Sequence, residues 1–166
     1  MSSTDDLKEA FAGESQANRK YLAFARKAEA EGRKQIAKLV RAAAEAETVH
    51  AHAHLAALGG IKSTDENLQA AIAGEGFEFE QMYPKFLADA QAEGNRAAVA
   101  SFRNALAVER IHHGLYTQAL RAHRADQDLP AGPVWICPVC GNTVCGDVPD
   151  QCGVCGVAGS RFFEVK

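Results

Sequence analysis

Along the first 125 positions, apolar residues recur at three- and four-residue steps in four stretches, the period of one face of an α-helix. The first stripe runs Leu7, Phe11, Glu14, Ala17, Tyr21, Ala25 and Ala28, the second Ile36, Val40, Ala43, Glu47, His50, His54 and Leu58. The third runs Leu68, Ile72, Glu75, Phe79, Met82 and Phe86, with Glu78 beside it; the fourth runs Val99, Phe102, Leu106, Glu109, His113, Tyr116 and Leu120, with His112 beside it. The boundaries follow from local chemistry. Thr4 ahead of Asp5 and Asp6 is a dipole-matched start, Gly32 interrupts the first helix, and Gly59-Gly60 ends the second. Ser63 with Glu66 three residues on forms a capping box that opens the third helix. Gly94-Asn95 separates the third from the fourth, which runs to about His123. Pro84 removes one backbone hydrogen bond and predicts a kink in the third helix. Four helices of roughly 25 residues, about 38 Å each, predict an antiparallel bundle.

The first pair of helices repeats in the second. Ala-Gly-Glu at 12–14 returns at 73–75, Ala-Glu-Gly at 30–32 returns at 92–94, and Glu47-x-x-His50 returns as Glu109-x-x-His112. The offset between copies is nearly constant, so the chain reads as a duplicated helical hairpin with a pseudo-two-fold axis. The duplication is imperfect at one position: Glu78 follows Glu75 by three, whereas its equivalent in the first half is Ala17.

Every stripe is interrupted near its middle by carboxylates. One buried Glu can be paired or neutralised, but Glu14, Glu47, Glu75, Glu78 and Glu109 at matching depth cannot all ionise unaided, because an isolated buried charge costs several kcal/mol. Too few inward Lys or Arg are available to pair them. Two divalent cations bring the five negative charges close to neutrality. Residues i and i+3 share one helix face, so each Glu-x-x-His delivers a carboxylate and an imidazole to the same cluster. Two single-Glu helices and two Glu-x-x-His helices form the di-iron or di-manganese carboxylate pattern, and mixed oxygen and imidazole donors suit those metals. The extra Glu78 makes the two metals inequivalent.

The tail changes character. All five cysteines lie from Cys137 onward, all six histidines precede them, and only Pro84 of five prolines falls before position 130. Cys137-x-x-Cys140-Gly and Cys152-x-x-Cys155-Gly, joined by the loop that carries Cys145, are two knuckles of a tetrahedral Cys₄ metal site. The spacing accepts zinc or iron alike; beside a redox-active metal pair, iron is the expectation. Cys145 reads as a loop thiol outside the site. A module this short cannot fold on a core of its own, so its metal supplies much of its stability. The expected organisation is a bundle over 1–125, a linker over 126–133 and a metal domain over 134–166.

Net charge is −3, which gives no basic footprint for nucleic acid or an anionic membrane. No apolar run approaches the ~18 residues of a membrane span, and the first residues lack a secretory pattern. A cytoplasmic protein is the expectation. His52 is expected in solvent, His54 and His113 as core or supporting groups, and His123 at a helix end.

Ala-Phe-Ala-Gly-Glu-Ser-Gln-Ala (10–17), Glu-Asn-Leu-Gln-Ala-Ala-Ile (66–72), Met-Tyr-Pro (82–84) and Trp-Ile-Cys-Pro-Val-Cys-Gly (135–141) together resemble the rubrerythrin family over nearly the whole chain. The resemblance implies a mainly α fold: a ferritin-like antiparallel four-helix bundle followed by a small rubredoxin-like Cys₄ metal domain. It implies a di-iron centre on Glu14, Glu47, His50, Glu75, Glu78, Glu109 and His112, and a mononuclear Fe(Cys)₄ on Cys137, Cys140, Cys152 and Cys155. One iron would exchange Glu78 for His50 with redox state, and Tyr21 and Tyr83 would hydrogen-bond near the site. The implied activity is reduction of hydrogen peroxide to water. Electrons would come from a rubredoxin-type carrier or an NAD(P)H-dependent reductase, in a homodimer whose tail can approach another subunit's site. The second knuckle departs from the family in reading Cys-Gly-Val-Cys, and the loop between knuckles is shorter and carries Cys145. Two other functions fit the same residues: a ferroxidase or O₂-reducing di-iron protein, and a non-enzymatic metal-binding protein with a structural zinc tail.

Overall fold

A computed structural model describes residues 2–166, which divide into two compact units, one ending at Lys62 and one spanning Ser63–Lys166. The first unit is a hairpin of α1 (Ser3–Ala30) and α2 (Lys34–Ala57). Its first cap is Ser2 rather than Thr4. Ser2 Oγ accepts the Asp5 amide at 3.3 Å, and the Asp5 carboxylate accepts the Ser2 amide at 3.1 Å and its hydroxyl at 2.8 Å. Asp5 stands three residues after Ser2, so the reciprocal box closes there. Gly32, with φ +75°, makes the reversal a side chain would strain.

The face between α1 and α2 is built from small residues. Ala25, Ala37, Ala44 and Ala51 are buried, the last three at a regular heptad spacing, so the two backbones can approach closely. Such an approach leaves one polar fastening inside. Asn18 is buried, and its Nδ2 donates to Ala44 O at 2.7 Å and to Thr48 Oγ1 at 2.8 Å. Asn18→Ala removes both bonds and leaves a void, while the Thr48 hydroxyl keeps its bond to Ala44 O at 3.2 Å, so it is expected to destabilise the hairpin by about 1–3 kcal/mol; thermal unfolding followed by circular dichroism measures it.

The second unit begins with the predicted box: Ser63 Oγ accepts from the Glu66 amide at 3.3 Å, and Glu66 accepts the Ser63 hydroxyl at 2.6 Å. Helical backbone then runs unbroken through α3 (Thr64–Phe77), a π-helical turn (Glu78–Met82) and α4 (Tyr83–Ala92), followed by α5 (Arg96–Arg124). The π turn stands where a proline kink was predicted. The Tyr83 amide reaches back five residues to Glu78 O, and Pro84 falls in the first turn of α4, where a missing amide hydrogen costs least. The repeat explains the turn. Glu14 and Glu75 are 61 apart, Tyr21 and Tyr83 are 62 apart, so the second half carries one extra residue between Glu75 and Tyr83. A π turn is how a helix absorbs one residue without rotating everything beyond it.

Both α3 and α4 pack on α5. Tyr83, Phe86 and Phe102 form an aromatic cluster with ring centroids 5.6–6.2 Å apart, and Phe79 meets the His113 ring edge-on at 5.3 Å. Arg124 makes two hydrogen bonds to Asp65, 2.7 and 3.0 Å, tying the end of α5 to the start of α3. Beyond α5 lies an antiparallel sheet of β1 (Val134–Ile136), β2 (Thr143–Cys145) and β3 (Phe163–Glu164), in the order β2-β1-β3. Trp135 pairs with Val144 and Ile136 with Phe163. The buried core of this sheet region is only Cys137, Cys152 and Phe162, with partly buried neighbours such as Trp135 and Val148. No described helix is long and apolar enough to cross a membrane.

Candidate metal centres

The duplication seen in sequence reappears as matching geometry. In the first unit Glu14, Glu47 and His50 bring their ligand atoms within 4.8 Å of one another, and in the second Glu75, Glu109 and His112 do the same. His50 Nδ1 lies 2.9 Å from Glu47 and 3.9 Å from Glu14; His112 Nδ1 lies 2.8 Å from Glu109 and 3.8 Å from Glu75. Each Glu-x-x-His therefore turns carboxylate and Nδ1 to one point, and a Glu from the neighbouring helix joins them. The surroundings differ. His50 is 55% exposed and His112 25%.

Crowded carboxylates resist ionisation. Burial, then hydrogen bonding to Glu109 and the charges of Glu109 and Glu78, push Glu75 up to about 7 from 4.5. Burial and the Glu109 charge also raise Glu78, which sits at the first position of the π turn beside the cluster. In the other unit a hydrogen bond with Glu47 raises Glu14, while that bond and His50 lower Glu47. Burial and the charges of Glu78, Glu109 and Glu75 hold the Tyr83 phenol above its ordinary range. Tyr21 packs against Phe24 at 6.3 Å. His52 and His123 are exposed, and His54 is partly buried.

The metal-free protein should show this strain directly. Glu75 binds its proton more tightly folded than unfolded, so its contribution to stability is fully present below about pH 4.5 and is lost as pH rises through about 7. Thermal midpoints of metal-free protein should fall across that window, and Glu75→Gln should flatten the fall; equal slopes for both would contradict this assignment.

The tail holds the four sulfurs of Cys137, Cys140, Cys152 and Cys155 within 4.8 Å of one another. Cys137 and Cys155 are 3.6 Å apart, as are Cys140 and Cys152. A tetrahedron with metal–sulfur bonds of about 2.3 Å has edges of about 3.8 Å, so the donor set fits a metal. The two knuckles are built alike. Gly141 N donates to Cys137 O and Gly156 N to Cys152 O, at 3.0 and 2.9 Å, and both glycines take the positive φ this turn needs, +84° and +75°. Burial raises Cys152, yet the amides of Cys155 and Val154 outweigh it and bring the thiol down to about 6. Burial pushes Cys140 and Cys155 up. Four thiolates this close need a cation. Cys145 lies exposed at the end of β2, outside the cluster.

Within the second unit the tail rests on α5 of its own chain. The Thr143 hydroxyl is 2.9 Å from His112 Nε2, and a Cβ placed on Gly141 would meet buried Val108 at 4.0 Å. Sequence reasoning missed both Thr143 and Asn18. Asn18 had a signal, a polar residue one turn after Glu14 on the same stripe. Thr143 had none, because its contact joins positions 31 apart.

The rubrerythrin family model matches residues 5–120. Rubrerythrin-2 of Clostridium acetobutylicum is 35% identical over 172 residues, covering 95% of this chain and 94% of that protein. Nigerythrin of Nitratidesulfovibrio vulgaris is 35% identical over 169 residues, covering 93% of this chain and 82% of that protein. A solved structure of nigerythrin in its fully reduced, all-ferrous state matches with a TM-score of 0.60 at 32% identity, over 99% of this chain and 87% of that one. These likenesses and the two donor sets fit a ferritin-like bundle with a rubredoxin-like domain, the fold in which the family holds its di-iron centre and Fe(Cys)₄ site for peroxidase-like oxidoreductase chemistry. The chain belongs to the rubrerythrin family.

Proposed function

We propose that this protein reduces hydrogen peroxide to water, drawing two electrons through its Cys₄ site from an NAD(P)H-dependent reductase or a rubredoxin-type carrier. The observation that carries the reading is the seating of the tail on α5, with Thr143 against His112. A storage protein has no use for a tetrathiolate at its carboxylate cluster, and a purely structural zinc module gains nothing from that contact. The balanced reaction takes one H₂O₂, two electrons and two protons to two waters.

The proposed ligands are Glu14, Glu47, His50, Glu75, Glu78, Glu109 and His112 for the metal pair, and Cys137, Cys140, Cys152 and Cys155 for the single iron. Bound iron supplies the electrons, and the chain supplies position and protons. The carboxylates balance the charge of the oxidised pair. Glu78 and His50 would be the alternating donors to one metal of the pair; His50 is exposed, and Glu78 opens the π turn, a backbone feature that recurs at functional sites. Tyr83 Oη, kept protonated by the same carboxylates, donates a hydrogen bond toward peroxide oxygen, and Tyr21 occupies the equivalent repeat position. The protein acts in the cytoplasm, as a homodimer.

Stopped-flow oxidation of fully reduced protein tests the reading. Hydrogen peroxide is expected to reoxidise it faster than O₂ at equal concentration. Faster reaction with O₂ would move the protein to the ferroxidase or O₂-reducing class that shares this bundle.

A further inference from the structure

We infer that Thr143 is a positioning residue: its hydroxyl fixes the ring of His112 and holds the Cys₄ module against the carboxylate cluster of the same chain. The inference rests on the reading of His112 as a metal ligand and goes beyond it. Three distances carry it. His112 Nδ1 faces Glu109 at 2.8 Å, its Nε2 faces Thr143 Oγ1 at 2.9 Å, and Thr143 Oγ1 lies 3.4 Å from Gly141 O.

The proton directions are then set. A carbonyl only accepts, so the Thr143 hydroxyl donates to Gly141 O and has lone pairs left for His112. With a cation between Nδ1 and Glu109, the Nδ1 lone pair would face the cation and Nε2–H would donate to Thr143 Oγ1; without one, Nδ1–H donates to the Glu109 carboxylate at 2.8 Å. Gly141 follows Cys140 directly, and its amide donates to Cys137 O at 3.0 Å. One hydroxyl thus joins the backbone of the first knuckle to the imidazole of the bundle. The equivalent His50 has no such hydroxyl partner among the described residues, and it is the histidine proposed to leave and return. A ligand meant to stay is fastened, and a ligand meant to move is not.

The test uses the zinc-loaded full chain, which is diamagnetic, with Thr143→Val (same shape, no hydroxyl) and Thr143→Ser (hydroxyl kept). Proton NMR reads the His112 Nε2–H, assigned by its loss in His112→Gln. Wild type and Thr143→Ser are expected to show a downfield, slowly exchanging proton; in Thr143→Val it should exchange about tenfold faster. Bundle affinity for zinc should fall about 10–100-fold in Thr143→Val and recover in Thr143→Ser, with the tail's zinc retained throughout. Equal exchange and equal affinity in Thr143→Val and wild type would overturn the inference. Should Thr143→Val fail to fold, wild type alone decides, because a His112 Nε2–H exchanging as freely as in a peptide also overturns it. Full bundle zinc in His112→Gln would instead sink the ligand assignment itself.

Discussion

Cys152→Ser is expected to strip the tail of metal and unfold it while α1–α5 stay helical. The tail's own core is three buried residues, two of them cysteines. Apolar burial on that scale supplies at most a few kcal/mol, whereas a structural metal site contributes about 10–16 kcal/mol in small metal-folded peptides. Neighbouring amides and thiols bring Cys152 down to about 6, and its sulfur is one of the four brought within 4.8 Å of one another, so its loss opens the donor set. Metal analysis should show the single-iron site empty and the ferric-thiolate absorption gone. Peroxide turnover driven by an external donor should vanish, yet bundle iron reduced chemically should still react with peroxide. Cys145→Ser is the control. Being exposed and outside the cluster, it should keep the absorption bands and the turnover.

Glu109→Ala should have the next largest effect, with opposite signs in the two metal states. Glu109 holds His112 at 2.8 Å, and its charge raises Glu75, Glu78 and Tyr83. With metal, the variant should drop from about three irons per chain to about one, the tail's own, since an open ligand set cannot hold the pair. Without metal it should be more stable than wild-type metal-free protein above about pH 7, because removing one of several crowded carboxylates relieves their repulsion. Iron analysis and paired thermal unfolding curves check both halves. Such opposition marks a site whose strain in the empty protein is repaid by its metal.

Much of this was legible from residue spacing. The carboxylates of the stripes, Glu-x-x-His in two copies, and the Cys-x-x-Cys-Gly knuckles are periodic or local signals, and the structure brings Glu14 to Glu47 and His50, and Glu75 to Glu109 and His112. The Ser63–Glu66 box and the Gly32, Gly59 and Gly94 turns were local in the same way. What escaped depends on several residues acting together. Pro84 in helical sequence reads as a kink, and the change of repeat offset from 61 to 62 was visible, but only the backbone shows that the extra residue became a π turn. Ile36 lies on the predicted stripe of α2 and is 55% exposed, while Ala37 beside it is buried. Helices in close approach use small residues where a hydrophobicity pattern expects large ones. Thr143 and Gly141 meet α5 because of how the tail folds back, and no periodicity within either segment encodes that meeting.

We propose a single electron path to peroxide, from the Cys₄ iron to the di-iron pair. Metal content and an absorption spectrum decide it, recorded on protein from iron-replete cells, after reduction, and after one equivalent of hydrogen peroxide. About three irons per chain are predicted, with ferric-thiolate bands that bleach on reduction and return promptly with peroxide. Zinc in the tail, or bands that stay bleached when peroxide arrives, would rule that path out.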